Sequence, residues 1–187
     1  MKRLFACAAI VFLTSGTALA ADPSVIGDWR VKEGYANIRI DNCGGRMWGI
    51  VAWEKAPGVD KDNPDPAKRS RPTLGMSVLM GLAPVKGEPG KWSGEIYNSN
   101  NGKMYGASIS LADENTLDLE GCLVWPLCQT QQWTRVTTPP TGGVSLPPSP
   151  QTSKQANLHR KGAPALSDVC ARVASESGAA GNNPARK

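Results

Sequence analysis

Between Lys91 and Val136 apolar and polar positions alternate at period two, in three segments joined by two turn signals. The first turn, Asn98-Ser99-Asn100-Asn101-Gly102, supplies residue types that tolerate positive φ, as tight turns between antiparallel strands require. The second, Asp113-Glu114-Asn115-Thr116, leads into Leu117-Asp118-Leu119-Glu120-Gly121, which alternates again. This is the signature of an antiparallel meander. Extended upstream, the same criteria predict eight strands, over 27–32, 35–41, 47–55, 74–82, 91–97, 103–111, 117–122 and 128–136. No convincing helix interrupts them, so the fold class is all-β. Closing the sheet removes exposed edges, and a barrel of about eight strands has room for packed side chains or one small ligand. The expected fold is a small up-and-down antiparallel barrel, with a sandwich as the alternative.

One connection breaks the regular spacing, residues 56–72. Loops of this length inside compact domains are uncommon and often functional. Asn63, Arg69 and Arg71 on this loop, with Trp53 just before it, are the candidate ligand contacts. A guanidinium fork suits a carboxylate or a phosphate; pairing with the loop's own aspartates competes with that role. Asp60, Asp62, Asn63 and Asp65 also pose the question of calcium. Pro64 intervenes, the turn glycine is missing and no bidentate Glu follows, so ion pairs and turn caps are expected instead. Trp48 and Trp53 are an odd number of residues apart, which predicts opposite faces of the third strand. Glu95, Asp118 and Glu120 fall in the polar phase of their strands and read as solvated.

The N-terminus reads as a secretory signal. Lys2 and Arg3 precede an apolar run from Leu4 to Leu13, and Ala18-Leu19-Ala20 offers a small-residue cleavage site near Ala20. The run is too short to span a bilayer. Removing Lys2 and Arg3 lowers the 21 basic residues to 19 against 16 acids, a net charge of +3. That is too mild for nucleic acid, and no basic patch is interleaved with aromatics. The predicted organisation is a signal peptide over 1–20, a barrel domain over 21–136 and a tail over 137–187.

After Val136 no aromatic remains, and the Pro-rich run from Thr137 to Pro150 cannot bury enough apolar surface to order itself. The tail is expected to be mostly disordered. Leu166, Val169, Cys170 and Val173 would share one face of a short helix at 166–175. Cys43, Cys122, Cys128 and Cys170 outlast cleavage, an even number that reads as disulfides in an exported chain. Cys122 and Cys128 flank a strand connection and form the expected bridge. Cys43 and Cys170 either pair, pinning the tail to the domain, or stay free.

The sole histidine, His159, lies in the tail, so the domain has no imidazole for acid–base catalysis or for a metal. No phosphate-cradling Gly loop is present. No catalytic residue, metal site or cofactor is assigned.

Several motifs together resemble a known family. Gly27-x-Trp29 opens the first strand, and Asp62-Asn63-Pro64-Asp65 precedes Arg69-x-Arg71-Pro72-x-Leu74-Gly75. Trp92-x-Gly94-x-Ile96-Tyr97-Asn98 runs into Asn101-Gly102-Lys103-x-Tyr105, and Gln132-Trp133-x-Arg135-Val136 closes the set. From Gly27 to Val136 the chain resembles the exported bacterial proteins grouped as domain of unknown function 2147. The resemblance implies a lipocalin-like barrel and a periplasmic location, and it implies no chemistry. It also implies structural roles for Gly27, Trp29, Trp133 and Arg135, with a basic residue of the last strand lying over the first-strand Trp. Relatives often carry Cys-Gly-Gly-x-x-Cys where this chain has Trp48 in the final position, which leaves Cys43 for Cys170 or for no partner. The expected function is a non-enzymatic periplasmic module binding a small, partly apolar or anionic ligand. The alternative is a cell-envelope interaction protein that uses the 56–72 loop and the basic tail to bind an envelope partner.

Overall fold

Strands form where the alternation places them, and each pairs antiparallel with its neighbours in sequence. In the computed structural model, which describes residues 24–124, 126–147 and 167–181, these are β1 (Gly27–Arg30), β2 (Ala36–Cys43), β3 (Arg46–Glu54), β4 (Ser77–Pro84), β5 (Trp92–Asn98), β6 (Lys103–Asp113), β7 (Thr116–Val124) and β8 (Leu127–Arg135). Trp29 of β1 stands opposite Arg135 of β8, so the meander closes into a ring of eight strands rather than two stacked sheets. The expected signal peptide lies outside the described residues.

The register carries the alternation inward. Leu117 and Leu119 of β7 face Trp133 and Gln131 of β8 and pair on the other side with Leu111 and Ile109 of β6. The interior is packed unevenly. Around Trp29, the side chains of Ile40, Leu79, Leu82, Ile109 and Leu117 fill the barrel with essentially no exposure. Gly49 sits in this filled half, where an added Cβ would lie 3.0 Å from both Ile38 and Leu79.

That end of the barrel is closed by β1 and β8 together. The Arg135 guanidinium lies 4.1 Å over the Trp29 ring and donates to the carbonyls of Ser24, Ile26 and Glu114. The Trp29 indole donates to the Val25 carbonyl at 2.8 Å. Gly27 adopts φ +133°, and a Cβ there would come within 3.0 Å of the guanidinium, so glycine is the residue the closure demands.

The outer face of β3 is also covered. β9 (Val144–Ser145) pairs with Trp53 and Glu54, and α1 (Asp168–Gly181) lays Val169 and Val173 against Ile50, Trp48, Cys43 and Leu146. Cys43 and Cys170 are bonded across this contact, 127 residues apart in sequence. Arg39 of β2 joins Asp28 of β1 at 2.8 Å and Asp168 of α1 at 2.6 Å. Burial pulls the Arg39 guanidinium down, but its hydrogen bonds and charge pairing with Asp28 and Asp168 raise it overall. The expected helix at 166–175 therefore begins two residues later and runs further, and a segment expected to be loose supplies a strand and a helix to the barrel wall. The reason is partnership at long range. β3 carries apolar residues on both faces, and the tail covers the outer one. Residues 148–166 and 182–187 lie outside the described residues.

Candidate functional site

The half of the barrel away from Trp29 is hollow. A cavity of about 960 Å³ opens there, walled by Val31, Ile38, Val51, Val78, Leu119 and Trp133. Tyr35, Tyr97, Tyr105, Asn98 and Asn101 line its outer part, together with Glu33, Glu54 and Lys61. Trp133 has a buried indole N–H that finds no acceptor among the described residues. The wall is apolar, and the mouth mixes these polar groups with exposed Val59, Leu123 and Leu127, which suits a ligand with one apolar and one polar end.

A β-bulge decides which side chains reach the cavity. Asn37 of β2 pairs with Trp53, but Ile38 pairs with Val51, so Ala52 is an extra residue in β3. Beyond a bulge, inward and outward positions exchange. Trp53 consequently shares the outer face with Asn37. There it lies 4.2 Å beneath the Arg30 guanidinium and donates to the Gly142 carbonyl at 2.8 Å. Asp41 and Asn37, four residues apart on β2, face Trp48 and Trp53 respectively, so both tryptophans lie outside the barrel. The expectation of opposite faces from their odd spacing is corrected, because it assumed an uninterrupted strand. Glu54, opposite the cavity-lining Ala36, points inward.

The long connection between β3 and β4 folds as a pinned hairpin. Val59 bridges Pro72, and backbone bonds join Asp60 to Arg71 and Thr73 to Gly58. At its centre Asp60 is fully buried and accepts from Tyr97 Oη at 2.7 Å, Asn63 Nδ2 at 2.6 Å and Arg71 Nε at 2.9 Å. Burial pushes the Asp60 carboxyl up, but these three donors and the Arg71 charge outweigh it and hold the group below its usual range. Burial and the bond to Asp60 push the Tyr97 hydroxyl up. Gly102, at φ +66°, lets the β5–β6 turn pass beneath this loop, where a Cβ would fall 1.9 Å from the Asp62 carbonyl. The hairpin is thus tied to β5 by a buried polar knot.

Of the four ligand contacts expected from sequence, none lines the cavity. Asn63 and Arg71 are partners of Asp60, Arg69 donates to the Asn63 carbonyl at 2.8 Å, and Trp53 faces outward. The aspartates act as caps and ion-pair partners. Asp65 accepts from Ala67 N at the start of a 3₁₀ turn, Pro66–Lys68, and pairs with Lys68 at 3.7 Å. Cys122 and Cys128 are bonded and stand directly opposite each other on β7 and β8. Glu120 lies beside them, but sulfurs already tied in a disulfide do not offer thiolates to a metal. Glu54 escaped the sequence reading because plain alternation puts it in phase with Trp48 and Ile50. Nothing local announces the bulge that moves it.

Fold and cavity together define a lipocalin-like barrel. Over residues 27–135 the chain matches the family described as "Uncharacterized protein conserved in bacteria (DUF2147)", and it belongs to that family. Among solved structures it is similar to protein HP1028 from the human pathogen Helicobacter pylori, which belongs to the lipocalin family. The TM-score is 0.56 at 20% identity, over 61% of this chain and 84% of that one. At this identity the likeness shows the fold. No curated protein matches the chain in sequence.

Proposed function

We propose that this protein is a non-enzymatic binding module of the bacterial periplasm, holding a small, partly apolar ligand inside the barrel. The observation that carries the proposal is the hollow half, about 960 Å³ with an apolar wall and polar groups at its outer part. A barrel built only for stability has no reason to leave that space, because an unfilled apolar interior forfeits contacts on every side. Two disulfides accord with export to an oxidising compartment. Catalysis is disfavoured by chemistry. Asp60, the buried acid of the loop, is committed to three donors, and the Thr73 hydroxyl that donates to Glu54 in the cavity lining has no histidine beside it among the described residues.

Native mass spectrometry of the protein taken from its own periplasm, paired with titration by a neutral naphthylamine dye, tests the proposal. A retained small molecule, or saturable dye binding that a bulky Val78 substitution weakens, is the expected result. Protein that retains nothing and binds no dye would overturn it.

A second reading draws on the rim. Tyr35, Val59, Met104, Leu123 and Leu127 are all exposed at the mouth end, with Leu123 and Leu127 about two-thirds accessible at 64% and 65%. Apolar residues gathered around an opening favour contact with an envelope partner, and the 56–72 loop stands among them. Crosslinking in cells should then capture a partner that L123D/L127D releases. Identical capture by both proteins would dismiss the rim.

A further inference from the structure

The geometry points to a ligand that places a protonated amine on Glu54. The inference rests on the binding reading above and names the chemistry of its polar end. Glu54 is 8% exposed and lines the cavity. Its Oε1 accepts from the Thr73 hydroxyl. Its Oε2 has no protein donor, and no Lys or Arg pairs with it, among the described residues. A carboxylate has about four acceptor sites, and a buried one is costly unless a cation or several donors satisfy it. Glu54 is therefore an acceptor held in a confined space with most of its capacity unused.

The remaining charges near the site sharpen the choice. Arg71 is bound to Asp60 at 2.8 Å, Arg69 to the Asn63 carbonyl, and Arg30 lies over Trp53 outside the barrel. Among the described residues Lys61 is the single basic residue that lines the cavity, and both it and the lining Glu33 are exposed. A carboxylate or phosphate entering the cavity would meet the Glu54 carboxylate, which no Lys or Arg side chain pairs among the described residues. An ammonium group would gain a charge-assisted hydrogen bond there. Tyr97 and Trp133 are aromatic members of the same lining, and the Arg71 guanidinium already lies over the Tyr97 ring, 5.8 Å from its centroid. The apolar body of the ligand would lie against Val51, Val78 and Leu119. The ligand class is an amphiphilic amine, with an alkyl or aryl body and one protonated nitrogen.

The inward aim of Glu54 is built into the backbone. Without the extra residue Ala52, the phase of β3 would turn this side chain to the outside. The bulge thus has two effects, setting Trp53 beneath Arg30 outside and turning the Glu54 carboxylate into the cavity beside its apolar wall.

Calorimetric titration of the disulfide-intact protein with decylamine, decanol and decanoate at neutral pH and low salt tests the inference. Decylamine is expected to bind about tenfold tighter than decanol, with decanoate weakest. In E54Q the amine and the alcohol should bind alike. Equal or tighter binding of decanoate to the native protein, or an amine preference that persists in E54Q, would overturn it. The native ranking alone decides the matter if E54Q does not fold. Binding of decanol without preference for the amine removes this inference and leaves the binding module standing. Binding of none of the three removes both.

Discussion

Asp60 shows how a single side chain holds a long loop in place. It has no exposed surface and three side-chain donors, one from β5 and two from its own loop. D60N keeps the shape but leaves Arg71 half-buried without its charge partner. A loss of about 3 kcal/mol is expected in urea unfolding at neutral pH. The acid dependence follows from the same contacts. The folded carboxyl titrates below its ordinary value of 3.8, so near and below that value the unfolded chain binds more protons. The stabilisation is complete above the unfolded pKa and is lost as pH falls through the folded one. D60N should lack this component, seen as a shallower fall in the unfolding midpoint between neutral pH and pH of about 3. An equally steep fall in both proteins would refute the assignment. The chemistry of this loop was partly legible in sequence, because Arg71 beside several aspartates already suggested internal pairing. Which aspartate pairs was not legible, since Tyr97 approaches from 37 residues away.

At the scale of elements, α1 and β9 are the parts that local pattern described least well. The shared face of Val169, Cys170 and Val173 could be read from spacing, but its destination could not. That destination is Ile50 and Trp48, an outward apolar pair on β3 that strand alternation alone would leave wet. The Cys43–Cys170 bridge holds the two together and closes a loop of more than a hundred residues. The C43S/C170S double variant is expected to lose about 2–4 kcal/mol and to expose Trp48. Thermal unfolding, with a red-shifted tryptophan emission before the main transition, provides the check. An unchanged melting temperature would show that packing of Val169 and Val173 suffices without the bond. By contrast, the Cys122–Cys128 bridge closes a span of only 6 residues. Its entropic contribution is smaller, about 2 kcal/mol on the same model.

Across the whole molecule, the division into a filled and a hollow half governs which substitutions are tolerated. G49A in the filled half brings a methyl within 3.0 Å of Ile38 and Leu79. It is expected to cost about 1–3 kcal/mol through overpacking. V78F enlarges a side chain that borders the cavity, so it should stay within about 1 kcal/mol of the parent while weakening dye binding. Chemical denaturation of the two variants side by side measures the difference. Equal destabilisation would argue that the cavity collapses around its lining. Strand number and order were legible because period-two alternation and Asn/Gly turns are local signals. Closure was expected from the need to remove exposed edges, and Trp29 opposite Arg135 bears it out; which half of the barrel would be filled and which hollow was not legible. Side chains of similar character line both halves, and whether they meet depends on the tilt and register of strands far apart in sequence.

One residue, Ala52, governs two surfaces. It turns Trp53 toward the backbone of residues 142–143 and Glu54 toward the chamber, so the outer clasp and the inner acid stand or fall together. A relative that lost this residue would forfeit its latch and its inward-turned Glu54 carboxylate in one deletion. Neither surface can drift without the other, and descent in this family should keep or discard them as a pair.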